Sequence, residues 1–406
     1  MSRTSAPRRP AAKAGVKQGA NRGMEKAVAR NGKKTVRKIT KKGGRRPPGG
    51  GSAKSPVNTA VRRSAATRSD GQGNRPLAHI YRGKPANLAR LARALRRGEL
   101  VAVPTETVYG LAANALDARA CRQIFQAKGR PASDPLIVHL LHPGDLTQVA
   151  VPNDAALRLA RKFWPGPLTL VLPKRAIVPD VVSAGRPSVA VRVPSHPLFR
   201  LLLEASGLPL AAPSANAFGY VSPTTAAHVQ AGLGHRIAHI LDGGASAIGL
   251  ESTIVDLRDP KKPRLLRPGA ITRRELERAL GRRVPLANAT RHPTRGAQLA
   301  PGLLQRHYSP RTPVELHARI DPSEVAKLDP HGREAWLFLA RPKPLKAAAN
   351  LHWLDPHGDL RGAARRLFGQ LRALDAGGWK KIHVELAPGT GLADAINDRL
   401  RRAAAR

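Results

Sequence analysis

One cysteine in 406 residues, Cys121, permits neither an internal disulfide nor a cysteine-based zinc cluster. That usage fits a reducing compartment, and a cytoplasmic location is expected. Aromatic residues make up only 3% of the chain, too few to favour a surface that stacks bases on ring platforms. No stretch approaches the roughly 18 apolar residues of a membrane helix, and no apolar segment follows the basic N-terminus. Both features exclude membrane-spanning and Sec-secreted classes. The common catalytic signatures are missing: no Gly-x-x-x-x-Gly-Lys-Ser/Thr loop, no Gly-x-Ser-x-Gly elbow and no His-Glu-x-x-His. The fourteen histidines do not fall at metal-ligand spacings. Acidic residues are also scarce, 27 against 70 lysines and arginines, leaving a formal net charge of +43.

Such a charge suggests a nucleic-acid partner, but much of it is concentrated at one end. Residues 1–75 hold 21 lysines and arginines against only Glu25 and Asp70. This segment is rich in Ala, Gly, Pro and Ser and has neither helical nor strand period, so it cannot bury enough apolar area to offset its ordering entropy. Residues 1–76 are expected to form a disordered basic tail. Its charge reads first as that of a solvated tail, ahead of an RNA-attracting arm or an organelle-targeting peptide.

The length suggests two or three domains. After Pro76, Leu88, Leu91 and Leu95 recur at helical spacing, and Gly98 marks a stop. Buried-strand runs follow at 100–103, 136–140, 168–172, 189–193, 237–241 and 253–255. They alternate with helices near 117–127, 154–162, 197–206, 224–232 and 272–280. This pattern predicts an α/β sheet covered by helices, over residues 77–283. Residues 284–312 read as a linker. A smaller α/β unit occupies 313–406, with strands at 313–316, 335–339 and 382–386, a long helix carrying Leu360, Leu367, Leu371 and Leu374, and a last helix over 392–403. Gly389-Thr390-Gly391 reads as a helix entry, because Asp394 stands where a dinucleotide fingerprint needs its third glycine.

Several segments place polar or cationic residues where strands or helices end. Pro104-Thr105-Glu106-Thr107-Val108-Tyr109-Gly110 follows a buried strand and is either a dense hydrogen-bonding set or a capped turn. Lys128-Gly129-Arg130-Pro131 brings two cations around a glycine, which suits phosphate or carboxylate oxygens but also complements a helix C-terminus. Pro213-Ser214-Ala215-Asn216 follows strand Leu210-Ala211-Ala212. Glu251-Ser252-Thr253-Ile254-Val255-Asp256 and Leu266-Arg267-Pro268-Gly269 are strand segments with polar ends.

Taken in order, these segments resemble the YrdC-like family of threonylcarbamoyl-AMP synthases. The resemblance rests on 104–111, 128–131, Pro135-Leu136-Ile137-Val138-His139, Val189–Pro194, 213–216 and 251–256. Arg306-His307-Tyr308-Ser309-Pro310 and the C-terminal unit are similar to the longer, two-domain form. The resemblance implies a twisted open-sheet domain with a central cleft, followed by a smaller Rossmann-like domain. It implies synthesis of L-threonylcarbamoyladenylate from L-threonine, bicarbonate and ATP, with release of pyrophosphate and with Mg²⁺ accompanying ATP. Other proteins would then transfer the threonylcarbamoyl group to the adenosine 3′ of the anticodon in tRNA.

By the same resemblance, Thr107, His139, Arg192, Ala212 and Ser252 would surround threonine. Arg130, Asp134, Ser188, Ser214, Ser222 and Arg267 would contact ATP, with Tyr308 closing over the nucleotide. Lys128, Arg130, Ser214 and Asn216 would form the catalytic basic and polar set. Asp134 departs from the asparagine the family leads one to expect, and no metal ligand is assigned. An RNA-binding module with a basic cleft and no chemistry is the alternative from another class, and a related acyltransferase or carbamoyl-handling protein is a weaker one.

Overall fold

The structure, a computed structural model, describes residues 76–287, 296–304, 307–343 and 348–405. The basic tail lies outside the described residues except for Pro76. So do part of the linker, including Arg306, and the terminal Arg406.

The first ten strands are β1 (His79–Arg82), β2 (Val101–Val103), β3 (Gly110–Asn114), β4 (Ile137–His139), β5 (Leu168–Pro173), β6 (Ser188–Arg192), β7 (Leu210–Ala211), β8 (His239–Asp242), β9 (Thr253–Asp256) and β10 (Arg264–Arg267). Among the described residues they form one mixed sheet in the order β1-β8-β2-β3-β7-β4-β6-β5-β9-β10. β4 runs parallel to β6, with His139 opposite Arg192, and β7 runs antiparallel to β4.

Period-two alternation divides the central strands between two faces. Val138, Leu170, Val191 and Val255 point into a core with Ile124 and Leu159, on the helices Ala118–Lys128 and Asp154–Phe163. Ile137, Val171, Ala190 and Ile254 point the other way, where Ala300 and Leu303 of the linker cover them. One face is thus closed by helices and the other by a strap of chain. Toward the other end of the sheet, Pro85–Arg96 and Pro197–Ser206 pack on Val101, Val103 and Leu210.

The second half has four parallel strands: β11 (Val314–His317), β12 (Ala335–Ala340), β13 (Leu351–Asp355) and β14 (Ile382–Glu385), in the order β11-β14-β12-β13. Helices Leu360–Ala376 and Leu392–Ala404 share one core with Leu337, Ile382 and Val384. Asp394 accepts a hydrogen bond from the Gly391 backbone N–H, which makes the Gly-Thr-Gly turn a helix entry. The runs read as strands are strands. β1, β3 and β13 escaped notice because β1 is short and polar, β3 is built of small residues (Gly-Leu-Ala-Ala-Asn), and β13 carries histidine and tryptophan without clean alternation.

The two halves share apolar and polar contacts. Val108, Val221, Leu250 and Tyr308 belong to the same cluster as Leu367, Phe368 and Leu371. The Arg372 guanidinium donates to the carbonyls of Val221 and Ser222, and the Tyr220 hydroxyl to Asp375 at 2.7 Å. At Gly249, with φ at +79°, an added Cβ would stand 2.5 Å from the Arg365 Cα. Gly129 also has positive φ, +63°, but nothing lies within 4 Å of its would-be Cβ. Gly129→Ala is therefore expected to lose only the left-handed backbone cost, about 1–2 kcal/mol. Gly249→Ala should lose clearly more, because backbone must move, and urea unfolding midpoints of the two variants check the order.

Candidate active site

The strap and the central sheet border a partly open cavity. Its walls come from segments far apart in sequence: Thr105, Thr107, Val108 and Gly110; Arg130; Ile137 and His139; Arg192; Ala212, Pro213 and Ser214; Glu251 and Ser252; Arg267; and Pro301, Gly302, His307 and Tyr308. The sheet register explains the grouping. Ile137 and His139 are two apart on β4, Arg192 pairs with His139, and the Ala212 N–H bonds the Ile137 carbonyl, so all face one side.

After β2 the chain turns at Pro104, and the Thr105 hydroxyl organises the turn. It receives the N–H groups of Thr107 and Val108, meets the Thr107 hydroxyl at 2.7 Å, and lies 2.6 Å from the Val108 carbonyl. Tyr109 points away from the cavity; its hydroxyl donates to the Gly244 carbonyl at 2.7 Å and anchors the loop. Thr107 then faces Arg192, whose Nη1 donates to the Thr107 hydroxyl at 3.0 Å. Nε of Arg192 bonds the Gly166 carbonyl, and Nη2 lies 2.7 Å from Glu106 Oε1. Burial pushes the Glu106 carboxyl up, but the Arg192 charge and hydrogen bonding reverse the effect and hold it below its usual value.

Two further arginines are held in the same manner. Arg130 follows Gly129, the left-handed cap that ends the helix Ala118–Lys128. Its Nε and Nη2 donate to the carbonyls of Asp134 and Pro135, and Nη2 stands 3.0 Å from the Asp134 carboxylate. Arg267, at the end of β10, donates to the Ser252 carbonyl, the Ser252 hydroxyl and the Pro301 carbonyl. Burial lowers the pKa of both arginines, and for Arg130 the Asp134 charge opposes the shift. Burial raises Asp134, against the pull of Arg130, Lys128 and Arg267.

Of the residues singled out in the sequence, Thr107, Arg130, His139, Arg192, Ala212, Ser214, Ser252, Arg267 and Tyr308 line this one cavity. The others are absent from its lining. Lys128 is fully buried, with Nζ donating to the carbonyls of Ser214 and Asn216 at 2.5 Å each. Burial and the Arg130 charge drive its pKa well below the ordinary value. The Asn216 amide donates to the carbonyls of Ala217 and Tyr220, so Lys128 and Asn216 hold the loop that presents Ser214. Ser222 donates to Glu251 Oε1, and Asp134 is paired with Arg130. Ser188 is buried at the start of β6.

Sequence reasoning gave no separate role to Glu251, Gly302 and His307. A Cβ on Gly302, whose φ is +75°, would stand 2.8 Å from both Arg267 Nη1 and the Tyr308 hydroxyl, so the strap approaches there as bare backbone. Glu251 also accepts from Arg399 of the last helix at 2.9 Å, a partner 148 residues away that no local motif could reveal.

Buried polar atoms around the cavity lack protein hydrogen-bond partners among the described residues. They include His139 Nδ1, Ser188 Oγ, His307 Nδ1, the Tyr308 hydroxyl and Asp134 Oδ1, whereas Arg192 Nη2 and Asp134 Oδ2 are ion-paired. Orphaned buried polar groups are costly and rare in folded proteins. Tyr308 combines such a hydroxyl with a φ of +62°, an uncommon backbone for a bulky side chain. Stacking on Phe368 and the Arg399 guanidinium 5.5 Å from its ring centre hold it there.

Two buried histidines of the cavity, His139 and His307, and the half-buried His228 share one electrostatic state. Burial and neighbouring cations lower His139 to about 3 and His228 to about 4, and hold His307 well below its ordinary value. With depressed folded-state pKa values, these groups take up protons in the unfolded chain first as pH falls through about 6.5. They therefore contribute full stability above that pH and lose it progressively toward pH 3–4. His139→Gln should make the fall in urea-unfolding free energy between pH 7 and pH 5 shallower by close to one proton.

The family model described as telomere recombination (Sua5/YciO/YrdC) matches residues 93–269. The one described as the threonylcarbamoyl-AMP synthase C-terminal domain matches 271–405. A threonylcarbamoyl-AMP synthase of Pyrococcus abyssi is 41% identical over 320 residues, covering 76% of this chain and 91% of that protein. One from Bacillus subtilis is 39% identical, covering 78% and 92%. The crystal structure of P. abyssi Sua5 complexed with L-threonine is 38% identical with a TM-score of 0.74, covering 80% of this chain and 98% of that one. Both halves are matched, in the same order and across most of the described residues, so the chain belongs to the two-domain threonylcarbamoyl-AMP synthases of the Sua5/YciO/YrdC family.

Proposed function

We propose that the cavity binds L-threonine and ATP and forms L-threonylcarbamoyladenylate. The observation that carries this reading is the ring of three buried guanidiniums, Arg130, Arg192 and Arg267, around orphaned polar atoms. A guanidinium has five N–H donors. Each of the three is clamped by main-chain carbonyls and neighbouring side chains, with donors left over for an anion. The site is thus preorganised for negative charge before any ligand arrives.

Arg192 suits the threonine carboxylate, with the Thr107 and Ser252 hydroxyls and neutral His139 placed for its polar atoms and Ala212 forming a small wall. Arg130, Arg267 and Ser214 face the side where a triphosphate would lie. Tyr308 covers it, Ser188 and Ser222 lie behind, and Lys128 and Asn216 act by holding the Ser214 loop. Threonine's amine nitrogen bonds the bicarbonate carbon as a C–O bond of bicarbonate breaks, and that hydroxyl leaves as water with a proton from the amine, giving a carbamate. One carbamate oxygen then forms a bond to the α-phosphorus as the bond to pyrophosphate breaks. No covalent enzyme intermediate is needed, and positioning plus charge neutralisation supply the catalysis. Asp134 is wholly buried, ion-paired to Arg130 and outside the cavity lining, so it does not fit as a Mg²⁺ ligand, and the ion would enter held by the triphosphate of ATP. The ion would neutralise charge on the triphosphate.

The product would pass to proteins that transfer the threonylcarbamoyl group to tRNA, in the cytoplasm. Purified chain given ATP, Mg²⁺, L-threonine and bicarbonate should release pyrophosphate and yield threonylcarbamoyl-AMP by mass spectrometry. Release that persists without threonine would sink the proposal; L-serine in its place should give less product. Arg192→Lys keeps charge but loses the fork. It should raise the KM for threonine roughly 10–100-fold, the equivalent of about 1.5–3 kcal/mol for a charge-assisted bond, with a smaller effect on the KM for ATP.

A further inference from the structure

The second half carries a cluster that the proposed reaction does not use. On β11, Glu315 and His317 are two residues apart and share a face. Across the parallel pairing, His383 of β14 stands opposite Glu315, and Trp336 of β12 stands opposite His383. The long helices pack on the other face, through Ala335, Leu337, Ile382 and Val384. On the cluster's own face, Trp336 and Phe338 pack with Ile320, Val325 and the edge residues Leu351 and Trp353, and Trp336 also stacks on His383.

We propose that Glu315, His317 and His383 form a binding site for a divalent transition-metal ion of the zinc type, with Glu334 as an outer partner. One ligand atom from each residue lies within 4.8 Å of the others. His383 Nε2 is 2.7 Å from Glu334, and a carboxylate only accepts, so that nitrogen carries the hydrogen. The lone pair of His383 is thereby fixed on Nδ1, which faces His317 Nε2 at 2.8 Å. This is the carboxylate–histidine arrangement that sets the tautomer of metal-bound imidazoles. Glu315 Oε1 is 3.8 Å from His317 Nε2, while Oε2 is held by Lys381 at 2.9 Å. Two imidazoles and one carboxylate, with the fourth position left to water, are a zinc-type donor set, and nitrogen donors disfavour Mg²⁺ and Ca²⁺.

The required movement is small. Tetrahedral zinc with bonds of roughly 2.0–2.1 Å sets its ligand atoms about 3.3 Å apart. The two rings would separate by about half an ångström, and Glu315 would close by a similar amount on His317 and by up to about 1.5 Å on His383. The hydrogen on His317 Nε2 moves to Nδ1 through solvent, which reaches this partly exposed ring, so no net charge is displaced. The sequence gives no hint of this site, because His383 lies 66 residues from His317 and only the strand order joins them. Bound metal would tie β11, the strand that leaves the strap, to β14.

The test uses the untagged full chain after chelator treatment, titrated with Co²⁺ and then Zn²⁺. Expected are one equivalent of Co²⁺ with the visible absorption of a four-coordinate ion, its displacement by one equivalent of Zn²⁺, and quenching of tryptophan fluorescence. Quenching follows from Trp336 lying face to face with His383 at 3.9 Å. Both His317 and Glu315 have exposed surface, so His317→Ala and Glu315→Gln should fold and abolish or greatly weaken the band. Glu334→Gln should weaken binding roughly 10–100-fold, and the surface control His142→Ala should change nothing. No four-coordinate band in the parent chain, or an unchanged band in both His317→Ala and Glu315→Gln, overturns the proposal. None of these readouts involves ATP turnover, so either result leaves the reading of the first cavity where it stands.

Discussion

Glu251 and Arg399 meet at 2.9 Å with side chains almost wholly removed from water. Neither can be buried alone, since breaking such a pair by removing one partner typically costs about 3–5 kcal/mol. The pair joins three parts of the molecule at one point. Glu251 precedes β9 and lines the cavity. Arg399 belongs to the last helix, donates to the Pro268 carbonyl and stands over the Tyr308 ring. The neighbouring Arg402 donates to the Leu304 carbonyl and receives the His307 N–H, so the same helix also holds the strap. The C-terminal half thereby fixes where the strap lies.

Within the cavity the governing constraint is again buried charge. Three guanidiniums out of water need acceptors, and main-chain carbonyls from Gly166, Asp134, Pro135, Ser252 and Pro301 provide them. Carbonyls orient an arginine without neutralising it. Full carboxylate partners are limited to Glu106 on Arg192 and Asp134 on Arg130, so positive potential remains for an anionic ligand. The neutral histidines follow from the same field: a second cation beside Arg192 or Arg130 is unfavourable.

Much of this was legible from the sequence. The apolar runs marked most of the strands, and the polar strand ends marked the cavity, because α/β sheets place ligand groups where strands stop. Individual depth was not legible. Lys128 and Arg130 look alike in a motif, yet the left-handed Gly129 between them turns one toward the Ser214 loop and the other toward the cavity. Partners brought together by topology alone, Arg399 for Glu251 and His383 for His317, leave no local trace.

The apolar cluster that runs from Val108 to Leu371 has a consequence for inheritance. Val108 is the immediate neighbour of Thr107, and Tyr308 is in the same cluster. A stop codon just after the strap would not release a smaller version of the synthase. It would leave Val108, Leu250 and Tyr308 facing water beside a carboxylate stripped of its arginine. Lesions in the last helix and lesions in the first cavity should therefore segregate as one trait.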